Sequence, residues 1–352
     1  MDTLVTVLLT VLMFSVLIFI HELGHFLTAK LFKVKVNEFS LGMGPRLFKF
    51  GKGETTYSLR ALPIGGFVSM EGEDEDSDDP RAFRKQKVWK RIIICAAGVF
   101  MNLLLGLAIA TSLVAAENSD YLVSTTVSQV VSQEAEGDLL QKGDKIVSVA
   151  GYKIFSGEDI SFGVSRSDPT GKTELIELET EFVVIRDGKE VTLKNVRPFV
   201  RVTYEDETQE DRLNFYVEPE KKTFFAVLRH GFFETVSYVR TTVLGLIDLI
   251  VGRVGIDALG GVIKVGQVVG EASKYGISSL LYLMALISVN LGVMNFLPIP
   301  ALDGGRIVLL AYEGIFRKPL NSKVEYALIA VSMILLYLLM IFVAVKDIIS
   351  IF

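Results

Sequence analysis

The residues best suited to chemistry are His21-Glu22-Leu23-Gly24-His25. Residues four apart share a face of a helix, so the two imidazoles can hold one Zn²⁺ between them. Glu22 follows the first histidine and can sit beside the metal without binding it. There it can take a proton from a water whose pKa the metal lowers towards about 7. The chain has only three histidines, so two at ligand spacing stand out. Its one cysteine, Cys95, lies in an apolar run and excludes both an internal disulfide framework and a Cys-rich metal site.

These polar residues sit in very apolar surroundings. Half of the 352 residues are hydrophobic and the mean hydropathy is +0.44. Crossing a bilayer takes about 20 apolar residues, and four runs qualify: about Leu4–Leu27, Ile92–Ala115, Ile277–Leu297 and Ala327–Val345. The first has no basic stretch before it and no small-residue cleavage site after it, so it reads as a span and not a removable signal peptide. A fifth run, Phe224–Val251, is broken by Arg229, His230, Glu234, Arg240 and Asp248 and reads as an amphipathic, interfacial or partly buried helix and not a clean span. A carboxylate near the centre of a span costs roughly 2.5 kcal/mol or more. Such residues usually carry function and face a protected interior. The plainer alternative is a pair of helix-end histidines at the headgroup level.

Lysine and arginine placement orients the chain. Thirteen of them, from Lys30 to Arg91, lie between the first and second spans, and Arg306, Arg317, Lys318 and Lys323 lie between the third and fourth. Both connections are therefore expected in the cytoplasm, with both termini extracytoplasmic. Residues 117–222 carry 22 acidic against 13 basic side chains, a net of −9, and belong outside. The overall charge of −5, without a basic stripe, argues against a nucleic-acid partner.

A catalytic zinc takes three protein ligands and a water. His230 lies beside the outer segment, at the wrong face, and Glu38 has no helical register with the histidines. Asp303 is the better choice, following the third span in Asn295-Phe296-Leu297-Pro298-Ile299-Pro300-Ala301-Leu302-Asp303-Gly304-Gly305. Pro298 and Pro300 prevent a regular helix there. Irregular backbone at membrane depth is tolerated only where it packs in protein or lines a watery cavity.

Four segments follow: 1–116, 117–222, 223–276 and 277–352. In the first, 55–70 carries Pro63, Gly65 and Gly66 and reads as a hairpin or membrane-dipping β element. The seven acids of Glu71–Asp79 read as a solvated loop. In the second, Asp144–Val149 reads as a strand. Phe182–Leu193 reads as two strands joined through Asp187-Gly188. The expected fold is a polytopic α-helical membrane protein with about four transmembrane helices, a membrane-reentrant β-hairpin and an extracytoplasmic β-rich domain.

Several linked motifs resemble the bacterial intramembrane site-2 proteases of the RseP type. They are His21–His25, Gly42-Met43-Gly44-Pro45, Pro63-Ile64-Gly65-Gly66-Phe67-Val68, Ala96-Ala97-Gly98-Val99-Phe100-Met101-Asn102 and the Asn295–Gly305 segment. Val99 stands where that family often has proline, and Gly260-Gly261 where Gly-Pro is common. The resemblance implies that His21, His25 and Asp303 bind one Zn²⁺ per chain and that Glu22 is the general base. Asn295 would hold the substrate or polarise its scissile carbonyl, with Pro298, Pro300, Gly65 and Gly66 also positioning substrate. The 55–70 element would meet an extended substrate strand.

The resemblance also makes the outer module, about 120–201, a PDZ-like domain with Gly137–Gly151 in the usual position. Residues 131–136 match a carboxylate-binding loop poorly, so a size filter is as natural as peptide capture. Substrates would be single-span membrane proteins, resembling anti-sigma factors or signal-peptide remnants, in the cell membrane of a bacterium. The active site would face the cytoplasmic leaflet. A metal permease is a rival reading, but the sequence carries no repeats to support it. An inactive homologue is another, yet every residue the chemistry needs is present.

Overall fold

A computed structural model describes residues 3–51, 53–73, 75–132, 139–168, 173–204, 208–256 and 259–349. In chain order the elements are α1 (Thr3–Leu31), β1 (Val36–Phe50), β2 (Thr56–Met70), α2 (Val88–Ala116), β3 (Tyr121–Val130), β4 (Lys145–Val149) and β5 (Tyr152–Lys153). Then come α3 (Glu158–Ser165), β6 (Thr180–Arg186), β7 (Lys189–Val196), β8 (Phe199–Thr203), β9 (Gln209–Leu213) and β10 (Phe215–Lys221). The chain closes with α4 (Phe224–Val251), α5 (Val262–Lys274), α6 (Ile277–Asn295), α7 (Asp303–Phe316) and α8 (Ser322–Ile349). Among the described residues, α1, α2, α6 and α8 are long and apolar enough to cross a membrane. They match the four runs expected from the sequence.

The chain divides into two compact units, 1–109 with 257–352, and 110–256. In the first, glycines let helices approach closely, as in membrane interfaces generally. A Cβ on Gly24 would collide with the Ala97 carbonyl, and one on Gly292 would meet the Val99 carbonyl at 3.3 Å. Met13 and Leu17 of α1 pack with Val269 of α5 and with Leu283, Met284 and Ile287 of α6. Gly261 precedes α5, and its amide donates to the buried Asp347 carboxylate of α8 at 2.9 Å. The Lys264 amide reaches the same oxygen at 3.2 Å. Proline at 261 would lack that donor, which accounts for its absence there.

Residues 56–70 of the segment read as a hairpin or membrane-dipping β element form one long strand, β2, whose partner is β1. Segment 36–41 of β1 pairs with 66–70 and also with 56–59, while 46–50 pairs with 57–60. Two long strands thus supply four pairing segments. Gly42 (φ +86°), Gly44 (φ +80°) and Gly65 (φ +86°) turn the chain where a side chain would be strained. Met43, Leu47, Phe48, Phe50 and Leu62 leave the sheet's far end apolar and exposed.

The second unit is a five-strand path, β10-β3-β4-β6-β7, with β5 on β4 and a separate β8–β9 hairpin. Its core includes the fully buried Val127, Ile146, Val149, Phe182 and Val184. The Asp187-Gly188 turn has φ of +50° and +75°, the left-handed pair that joins β6 to β7. Gly137, Asp138 and most of the expected carboxylate-binding loop (133–136) lie outside the described residues. One face of α4 is tied to this unit. Arg240 donates to Asp159 at 2.7 Å, Arg166 pairs with the buried Asp248, and Phe233 stacks on Phe155. The other face exposes Phe225, Leu228, Phe232, Val243, Ile247 and Ile250, the amphipathic pattern read from the sequence.

His230 on α4 is buried between Glu158 (3.7 Å) and Glu220 (3.4 Å). Hydrogen bonding to Glu158, reinforced by Glu220, raises its pKa above 6.5 against the opposing effect of burial. A raised folded-state pKa stabilises fully below about 6.5 and is lost as pH rises through the raised value. Amide exchange protection around His230 should therefore fall as pH is raised above about 6.5, and His230→Gln should flatten that dependence.

Candidate metal centre

One turn of α1 sets His21 and His25 one above the other, with their Nε2 atoms 3.2 Å apart. α1 runs on to Leu31, so the pair lies inside the helix and not at its end. The His25 Nδ1–H donates to the Ile94 carbonyl of α2 at 2.8 Å, leaving Nε2 with a free lone pair.

The third group arrives from a broken segment. α6 stops at Asn295, and Pro298 and Pro300 prevent its continuation. The chain turns through Ile299 N–H to Leu297 O (2.7 Å) and Leu302 N–H to Ile299 O (2.8 Å), then enters α7 at Asp303. Gly304 and Gly305 are needed because a Cβ at either would strike this loop's own carbonyls, those of Phe296 and Ile299 respectively. Asp303 Oδ2 thereby lies 3.0 Å from His21 Nε2 and 3.4 Å from His25 Nε2. It is buried yet accepts no hydrogen bond. Donor atoms of the three residues lie within 4.8 Å of one another. Three convergent lone pairs, one on an orphaned buried oxygen, fit a divalent cation with mixed N/O preference such as zinc.

Glu22 lines a cavity of about 530 Å³ together with both histidines, Asp303, Phe67 and Ser69. A Cβ on Gly66 would meet Glu22 Cγ at 3.2 Å, so the glycine lets β2 lie against the glutamate. Asn295 Nδ2 is 3.5 Å from His21 Nε2. The structure thus gathers His21, Glu22, His25, Asp303, Asn295 and Gly66. Pro298 and Pro300 shape the loop without lining the cavity, and Gly65 packs against Met43. Glu38 is engaged by Ser58, Arg60 and Arg46, and His230 belongs to the other unit.

Sequence reasoning missed Gly98 and Asn102 as parts of the site, although both were visible in the second-span motif. A Cβ on Gly98 would lie 2.7 Å from His21 Nε2 and closer still to His25. It also missed Glu73 and Arg306, which form an ion pair at the cavity wall.

The model of Peptidase family M50 matches residues 9–339. The chain belongs to peptidase family M50. It is 37% identical over 344 residues to a protein of Clostridium perfringens named "Putative zinc metalloprotease", covering 97% of this chain and 98% of that one. A Fusobacterium nucleatum protein of the same description is 37% identical over 355 residues, covering 99% of each chain. One from Staphylococcus aureus is 30% identical over 437 residues, again covering 99% of each. This M50 chain is accordingly a membrane zinc metalloprotease.

Because Gly98 abuts both imidazoles, Gly98→Val should displace them. Elemental analysis of the purified variant is expected to show most of the zinc lost, with helix content by circular dichroism unchanged.

Proposed function

We propose that this protein is an intramembrane endopeptidase that cuts single-span membrane proteins, with His21, His25 and Asp303 as its zinc ligands and Glu22 as general base. The observation carrying this reading is the meeting of three donor atoms, contributed by α1 and the start of α7, beside Glu22 in one cavity.

Zinc bound there would acidify a water and polarise the scissile carbonyl. Glu22 beside it would accept a proton from the attacking water and return it to the leaving amine, the acid–base role worth roughly 10²–10⁴-fold. Asn295 offers a side-chain N–H to the carbonyl oxygen as negative charge develops on it. Segment 66–70 borders the same cavity through Phe67–Met70, and its outer edge has no strand partner among the described residues. Cleavage needs extended backbone, so an unwound substrate segment pairs along this edge and lies across Glu22. Gly65 and Gly66 shape the strand, and Pro298 and Pro300 shape the facing loop.

Lysine and arginine placement supports an active site towards the cytoplasmic leaflet of a bacterial cell membrane, with both termini outside. Substrates of the anti-sigma-factor or signal-peptide-remnant kind suit such a site. The 117–222 segment is then an extracytoplasmic PDZ-like domain. Between edge strand β10 and α3 it has a cleft of about 560 Å³ lined by Ile160, Phe215 and Val217, suited to an extended peptide.

Reconstituted protein should cleave a single-span substrate and stop on zinc chelation. Glu22→Gln should keep zinc and lose cleavage by about 10²–10⁴-fold, whereas Asp303→Ala should lose tight zinc. Cleavage surviving in Glu22→Gln would sink the mechanism.

A further inference from the structure

We propose that Asn102 is the positioning residue for His21, its side-chain oxygen accepting the Nδ1–H so that Nε2 is held towards the zinc. The inference rests on the ligand assignment above and adds a residue to it.

Asn102 is fully buried on α2, one helical turn beyond Gly98 and on the same face. Its Nδ2 lies 3.2 Å from His21 Nδ1, while its Oδ1 is buried with no hydrogen-bond partner. That arrangement suits only a His21 whose Nδ1 is bare. Yet His21 Nε2 points at the place where His25 Nε2 and Asp303 Oδ2 converge, at 3.2 and 3.0 Å. A metal there occupies the Nε2 lone pair, so a neutral His21 must carry its proton on Nδ1.

An Nδ1–H facing an NH₂ group puts donor against donor and leaves the carboxamide oxygen orphaned as well. A half-turn of the amide removes both faults. The oxygen then accepts from His21, and only the nitrogen is left in the place the oxygen had. Either orientation leaves one buried group unmet, but only the turned amide replaces the donor-against-donor contact with a hydrogen bond from His21, so zinc binding selects it. His25 already has the equivalent support, from the Ile94 carbonyl. Each histidine is thus oriented through Nδ1, one by backbone and one by a side chain.

Asn102 itself is fixed. Ser288 Oγ of α6 donates to its backbone carbonyl at 2.8 Å, and a Cβ on Gly292 would lie 3.5 Å from its Cβ. The side chain therefore has a well-defined origin set by two helices, as an orienting group requires.

The test uses the full-length protein in detergent and measures zinc affinity by competition with a chromogenic chelator. Asn102→Leu keeps the branching at Cγ and removes the acceptor, and should weaken zinc binding about 10–100-fold. Asn102→Asp keeps an acceptor oxygen and should return affinity close to that of the unaltered protein. Metal-free helix content should be the same in all three. Should Asn102→Leu fail to fold, Asn102→Ala reads the same loss. Unchanged affinity in the apolar variant would overturn the proposal, as would an Asn102→Asp that binds as weakly as it. A His21→Ala variant that binds zinc normally would instead overturn the ligand assignment on which the proposal stands.

Discussion

Two imidazoles and a carboxylate must be buried among apolar helices and still meet within 4.8 Å. Burying such groups is costly unless each polar atom finds a partner, and that requirement organises much of the first unit. It explains why His25 is tied to the Ile94 carbonyl and why α6 breaks after Asn295. It also explains why α7 begins at the aspartate. No unbroken helix could bring Asp303 back to α1 so soon after α6. The two prolines end one helix, and the two glycines let the next begin against the loop that precedes it.

Close approach is the second consequence. Gly24 on α1 and Gly98 on α2 let the histidine-bearing turn press on its neighbour, and Gly292 does the same for α6. Apolar side chains gain little by associating in lipid, so packing and interhelical hydrogen bonds must hold such helices together. The Ser288 bond to the Asn102 carbonyl is one of these. The same contacts that join α1, α2 and α6 therefore set the geometry of the site.

The β elements of the two units solve a different problem. In the first unit, the bent β1–β2 pair places beside Glu22 a strand edge with no strand partner among the described residues, with glycines at the bends and Gly66 at the closest approach. In the second, α4 is bound to the β-rich unit through Arg240–Asp159 and Arg166–Asp248 and presents an apolar stripe on its far side. Charged residues that interrupt its hydropathy are thus the ones that attach it. Both carboxylates are buried, so removing their arginines would leave costly lone charges.

The sequence by itself determined the four long apolar helices, the Asp187-Gly188 hairpin, the amphipathic character of 224–251 and the His21–His25 pair. Each depends on periodicity, on run length or on a turn type within a few residues. It also pointed to Asp303, through two prolines and the side of the membrane. Only the tertiary structure decided what depends on contacts between distant segments. It showed that 56–70 is one strand paired with 36–50, since strand partners are chosen by register and not by local composition. It showed why Gly261 cannot be proline, because the acceptor of its amide, Asp347, lies 86 residues away. And it brought Asn102 to His21 across 81 residues, a pairing invisible in either segment alone. Local physics chose the helices; packing between them brought the two histidines and the aspartate together.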